Sequence, residues 1–137
     1  MRMAVNISGR NIVDGSLSPL LARLCERAEV DPSLIDLEIT ETHLVADVAR
    51  ASAVVDDLRR QGIKVAIDDF GTGYSSLAHL QNLPVDMVKL DRTFVQRPRG
   101  GGNADVVARW AIQLVSELGM RMIAEGVETR EQEEVLR

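Results

Sequence analysis

Short runs of β-forming residues alternate with stretches of helical periodicity from one end of the chain to the other. The first run, Ala4 to Ser8, is followed by Ser18-Pro19, which reads as the cap and first-turn proline of a helix reaching about Glu29. Asp31-Pro32 interrupts the chain ahead of a second run, Ile35 to Thr40. From Asp47 to Gln61, the apolar residues Val48, Ala51, Val54, Val55 and Leu58 recur at helical spacing, and Gly62 supplies a C-terminal stop. The third run, Ile63 to Phe70, leads through a glycine-containing turn into a short helix along Leu77, Leu80 and Leu83, ended by Pro84. The fourth run spans Met87 to Val95. Arg97 to Asn103 is glycine-rich and reads as a surface loop, and a helix over Asp105 to Leu118 closes at Gly119. A fifth run, Met120 to Gly126, precedes Thr129-Arg130-Glu131-Gln132, a capping box that opens the last helix.

The order βαβαβαβαβα predicts an α/β fold of parallel strands joined by right-handed crossovers. With 137 residues the chain is too short for a complete (β/α)8 barrel, which typically needs ~250. The polarity pattern nonetheless favours a barrel wall over a sandwiched sheet. In the second run Ile35, Leu37 and Ile39 point one way and Asp36, Glu38 and Thr40 the other. A strand covered on both sides by helices would be apolar on both faces.

Polar residues recur near the same end of every run: Asn6, Glu38, Asp68 with Asp69, Lys89 with Asp91, and Glu125 followed by Glu128. Carboxylates gathered at the C-terminal ends of parallel strands repel one another unless a cation neutralises them. All-oxygen donors with one amide among them suit a hard ion, Mg²⁺ or Mn²⁺. The adjacent pair Asp68-Asp69 can serve two such ions, one carboxylate bridging while its neighbour binds the second. His43 and His79 lack ligand spacing. Each residue taken singly also has a structural reading: Asp as a helix cap, Lys89 as a snorkelling side chain, Asn6 as a turn residue.

Composition narrows the field. Lys and Arg total 16 against 21 Asp and Glu, a net charge of −5, which excludes a DNA-binding protein working through a basic face. Phe70, Tyr74, Phe94 and Trp110 are the only aromatics, too few for a platform that stacks single strands. The single cysteine, Cys25, cannot form an internal disulfide and reads as a buried thiol, so a cytoplasmic setting is expected. No apolar run approaches the ~20 residues of a membrane span, and the first residues lack the apolar core of a signal peptide.

The segment Asp68-Asp69-Phe70-Gly71-Thr72-Gly73-Tyr74-Ser75-Ser76-Leu77 closely resembles the corresponding stretch of EAL domains, bacterial phosphodiesterases that hydrolyse cyclic di-GMP. Four further segments match in the family's order: Val5-Asn6-Ile7-Ser8, Leu37-Glu38-Ile39-Thr40-Glu41, Val88-Lys89-Leu90-Asp91-Arg92-Thr93-Phe94-Val95 and Ala124-Glu125-Gly126-Val127-Glu128-Thr129. The resemblance implies a TIM-like barrel with one strand reversed and two Mg²⁺ or Mn²⁺ ions above it. By position, Asn6, Glu38 and Asp68 resemble ligands of the first ion, Asp68 the bridge, and Asp69 a ligand of the second. Lys89 resembles the lysine that contacts the attacking water and the scissile phosphate. Glu125 resembles the proposed general base or water-mediated ligand, with Glu128 beside it and Asp91 also close to the site. Glu41 resembles the anchor of the loop Phe70, Gly71, Thr72, Gly73, Tyr74, Ser75, which shapes the metal site and contributes to a homodimer interface.

The same resemblance places the family's Glu-Ala-Leu strand upstream of Met1 and its final strand beyond Arg137. Residues 1–137 are therefore expected to form about five of eight barrel strands, a partial domain from a protein that can also carry GGDEF or sensory domains. The expected function is hydrolysis of cyclic di-GMP to pGpG by the parent domain, with the isolated piece inactive. A non-catalytic cyclic di-GMP receptor and an inactive remnant are the alternatives.

Overall fold

A computed structural model of the chain describes residues 1–8, 11–12, 15–40, 47–71, 80–96 and 103–136. It contains the five expected strands: β1 (Met3–Ile7), β2 (Ile35–Thr40), β3 (Lys64–Phe70), β4 (Met87–Leu90) and β5 (Arg121–Ala124). Among the described residues the helices are α1 (Leu17–Ala28), α2 (Val48–Arg60), α3 (Asn103–Glu117) and α4 (Arg130–Leu136), with short 3₁₀ turns at Pro32–Leu34 and Arg92–Phe94. All neighbouring strands pair in parallel, and their order in the sheet is their order in the sequence, β1-β2-β3-β4-β5.

Alternation along the strands divides the sheet into two unlike faces. Ile35, Leu37 and Ile39 of β2, Val65 and Ile67 of β3, and Val88 and Leu90 of β4 are buried in one core with Ala51, Val54, Val55 and Leu58 of α2 and Ala108, Ala111 and Val115 of α3. Cys25 joins this core as a buried thiol. The opposite face carries Glu38, Asp68 and Lys89, all half-buried, on the pleat positions between those core residues. One apolar face under helices and one polar face is the signature of a barrel wall.

Several boundaries differ from the sequence expectation. α1 begins at Leu17 after Ser16, and Ser18 is not its cap. Ser18 is instead buried at 5% exposure. Its hydroxyl accepts a 2.6 Å hydrogen bond from Gln61 Nε2 at the far end of α2, because the first turn of α1 leans on α2 and a polar side chain there requires a partner. The fourth run stops being a strand at Leu90. Asp91 turns the chain by accepting hydrogen bonds from the Thr93 backbone N–H and hydroxyl, so Arg92–Phe94 form a 3₁₀ turn with Val95 as its C-cap. The capping box is present as read: Gln132 Oε1 accepts from Thr129 N at 2.9 Å, and Thr129 Oγ1 accepts from Gln132 N at 3.3 Å.

Candidate active site

The register of the sheet determines which polar side chains meet. Asn6 of β1 lies beside Glu38 of β2, and Thr40 of β2 beside Asp68 of β3. Lys89 of β4 pairs with Ile123 of β5. One step beyond the end of β5, the Glu125 backbone N–H donates to Leu90 O at 3.1 Å, which extends the ladder and fixes that residue above the sheet.

The pair Asp68-Asp69 requires a break in the pleat. In a regular strand adjacent residues point to opposite faces. Between Ile67 and Phe70 of β3 there are three steps, against two between their partners Val88 and Leu90, so β3 carries one extra residue. Asp69 absorbs it with φ of 55°, a left-handed conformation that Asp tolerates better than most residues. The bulge returns Phe70 to the core and leaves both carboxylates near the same end of the sheet. Bulges of this kind commonly re-aim a side chain.

The centre of the cluster is Lys89. Its Nζ lies 3.0 Å from Glu38 Oε2, 3.0 Å from Asp68 Oδ1 and 2.7 Å from Glu125 Oε1. Three strands and the residue following a fourth thus converge on one ammonium. Burial by itself disfavours the charged lysine, but the surrounding carboxylates outweigh it and hold the Lys89 pKa well above its ordinary value. Asp69 moves the same way for opposite reasons. Partial burial raises its pKa first, and repulsion from Asp68, Asp91 and Glu125 adds to it, while Lys89 pulls the other way.

Among the described residues no group of three or more Asp, Glu, His or Cys is arranged to hold a metal ion directly; three carboxylates close instead around the Lys89 ammonium. The donor set nonetheless suits a hard cation. Asp68 Oδ1 is buried and faces Lys89 Nζ at 3.0 Å, and a buried carboxylate is costly without a cationic partner. The ammonium is in effect a stand-in ion among oxygen ligands.

Beside this cluster, Asp91 caps the 3₁₀ turn, and its hydrogen bonds with Thr93 hold its own pKa below the ordinary carboxylate value. Glu128 Oε1 accepts from Gln96 Nε2 at 3.3 Å. The sequence offered no sign of Gln96, because it lies in an irregular segment with no period. Gly126 and Gly71 lie against this same turn. A Cβ at Gly126 would come within 2.9 Å of Arg92 Cβ, and one at Gly71 within 2.7 Å of the Phe94 ring. The turn therefore packs against both Gly71 at the end of β3 and Gly126 after β5. Of the expected site residues, Glu41, Thr72, Gly73, Tyr74 and Ser75 lie outside the described residues.

Comparison with known proteins agrees with this architecture. The EAL domain family model matches residues 1–137. The cyclic di-GMP phosphodiesterase PA2567 of Pseudomonas aeruginosa is 37% identical over 131 residues, covering 96% of this chain and 22% of that protein. NbdA of the same species, also a cyclic di-GMP phosphodiesterase, is 36% identical over 137 residues, covering all of this chain and 18% of its own length. The chain thus spans about a fifth of the length of these curated relatives. Among solved structures, the PaMucR phosphodiesterase in complex with c-di-GMP superposes with a TM-score of 0.89 at 32% identity, covering 98% of this chain and 60% of that one. The manganese and cyclic di-GMP complex of Klebsiella pneumoniae BlrP1 gives 0.85 at 29% identity, covering 98% and 35%. A five-stranded parallel sheet with its carboxylates gathered at one end and a family match along its whole length lead to one conclusion: the chain belongs to the EAL domain family.

Proposed function

We propose that this chain supplies the metal-binding and catalytic wall of a phosphodiesterase domain that opens cyclic di-GMP to the linear dinucleotide pGpG. The observation that carries the reading is the convergence of Glu38, Asp68 and Glu125 on Lys89 at the C-terminal ends of parallel strands, where barrel enzymes keep their chemistry. The family match and the cyclic di-GMP complexes among its structural neighbours support the substrate.

Asn6, Glu38, Asp68 and Asp69 would hold two divalent ions, Mg²⁺ or Mn²⁺, which when bound supply Lewis acidity and acidify a water. The remaining chemistry falls to the chain's own groups. Lys89 keeps its proton, and its ammonium faces the position where phosphate charge builds up, a preorganised electrostatic contact. Glu125, anchored by its backbone N–H but the most exposed of the three carboxylates, with 38% of its side chain accessible, accepts the proton of the attacking water. Water adds to one phosphorus, one P–O ester bond breaks, and the released sugar oxygen takes a proton, leaving pGpG. Asp91, Gln96 and Glu128 hold the surrounding turn and loop in place.

The test is a complete EAL domain in which residues 1–137 of this chain replace their counterpart, incubated with cyclic di-GMP and Mn²⁺. Formation of pGpG that disappears in Lys89→Ala and Asp68→Ala supports the reading. Binding of cyclic di-GMP without any turnover would overturn it in favour of a receptor, and absence of both would leave an inactive remnant.

A further inference from the structure

Four charged groups share one small volume on the polar face, three of them carboxylates and one an ammonium. Lys89 and its two strand partners are almost equally shielded, with 13%, 14% and 15% of the side chains of Lys89, Glu38 and Asp68 accessible. Without a cation the carboxylates would repel one another in a region where water screens them poorly. Lysine suits the centre because it offers three donors and a single compact charge on a flexible stem.

From this geometry we propose that Lys89 is a built-in counter-ion: its ammonium holds the metal-free site together and gives up its place among Glu38 and Asp68 when divalent ions enter. Lys89 is then a positioning residue for the empty site in addition to its part in the reaction. The carboxylates are kept converged without metal, and the entering ion must displace the ammonium from two of its ligands. The inference rests on reading the cluster as a divalent-ion site, although its first consequence, on the metal-free protein, does not.

That first consequence is read from thermal unfolding in the presence of a chelator. Lys89→Met leaves three uncompensated carboxylates and lowers the melting temperature of the metal-free chain. Lys89→Met combined with Glu38→Gln removes one of the repelling charges and recovers part of the loss. Saturating Mn²⁺ erases most of the difference between wild type and Lys89→Met, which a merely structural packing role for the lysine stem would not do. The second consequence is read from calorimetric titration with Mn²⁺ alone. Removal of the competing ammonium tightens binding by on the order of tenfold, while Lys89→Arg keeps the charge and stays near wild type.

Equal melting temperatures for wild type and Lys89→Met in chelator would overturn the proposal. So would a double variant no more stable than the single one, including the case in which neither folds, or an unchanged or weaker Mn²⁺ affinity in Lys89→Met. Failure of wild type and variant alike to bind Mn²⁺, with the stability pattern intact, would count against the metal-site reading and leave the counter-ion role within the metal-free site standing.

Discussion

At the scale of single residues, the consequences of substitution follow from what each side chain touches. Asp68 is a half-buried carboxylate whose Oδ1 stands 3.0 Å from Lys89 Nζ. In a complete domain carrying this chain, Asp68→Ala is expected to abolish turnover, and retention of more than roughly a tenth of the activity would contradict the proposal that Asp68 holds the metal ions. Gly71 and Gly119 form a natural pair of comparisons. Both have positive φ, 95° and 72°, but a Cβ at Gly71 meets the Phe94 ring at 2.7 Å and one at Gly119 meets nothing within 4 Å. Gly119→Ala should cost about 1 kcal/mol, from backbone strain alone. Gly71→Ala should cost about 2 kcal/mol or more, because the ring has to move as well; denaturant midpoints for the two variants measure the difference. Asp91 titrates below its ordinary value of 3.8. Its contribution to stability is therefore present above that pH and fades as pH falls through the lower folded-state value. Asp91→Ala should lose about 1 kcal/mol at neutral pH, with the gap to wild type closing in unfolding curves taken below pH 3.8.

At the scale of elements, the strands were legible because they carry a period, and the exceptions lie where side chains override it. The alternation in Ile35 to Thr40 read directly as one core face and one polar face. The tie between Ser18 and Gln61, 43 residues apart, left no local trace, so serine beside proline passed for a cap. That tie carries its own prediction. Ser18→Ala removes the shorter of the two bonds that Gln61 Nε2 donates, leaving the 3.3 Å bond to Ser18 O, and should destabilise by about 1 kcal/mol. Adding Gln61→Leu should restore most of the loss in chemical denaturation, since two apolar partners need no hydrogen bond. The bulge at Asp69 was equally hidden. Two adjacent aspartates at a strand end invite a functional reading, but only the register with Val88 and Leu90 reveals the extra residue that brings both to the same end of the sheet. The candidate site was thus legible as a list of polar strand ends, and its centre was not. Lysine in a strand has a common surface reading, and nothing short of three measured distances shows it holding a cage of carboxylates.

At the scale of the whole molecule, β1 and β5 are the outer strands of the sheet among the described residues. β1 is exposed along most of its length, and Asn6 stands on it in the open. If Asn6 serves the proposed metal site, an exposed edge strand places it poorly for a reaction in which ~1 Å of displacement can cost ~10²-fold in rate. The superposed PaMucR chain is matched over 60% of its length. The 137-residue chain alone is therefore expected to release no pGpG at a useful rate from cyclic di-GMP and Mn²⁺, as followed by chromatography. Turnover matching a complete domain would mean that these strands hold the site unaided. No helix among the described residues is long and apolar enough to cross a membrane.

Strand order that copies sequence order has a consequence for how the molecule is made. Each strand leaving the ribosome finds its neighbour already waiting at the growing edge, so assembly can run in one direction without threading a late strand between earlier ones. The charges arrive on the same schedule. Glu38 and Asp68 come with β2 and β3, the ammonium that neutralises them comes with β4, and Glu125 closes the group last. The fourth strand thus carries the cation that Glu38 of the second strand and Asp68 of the third both face.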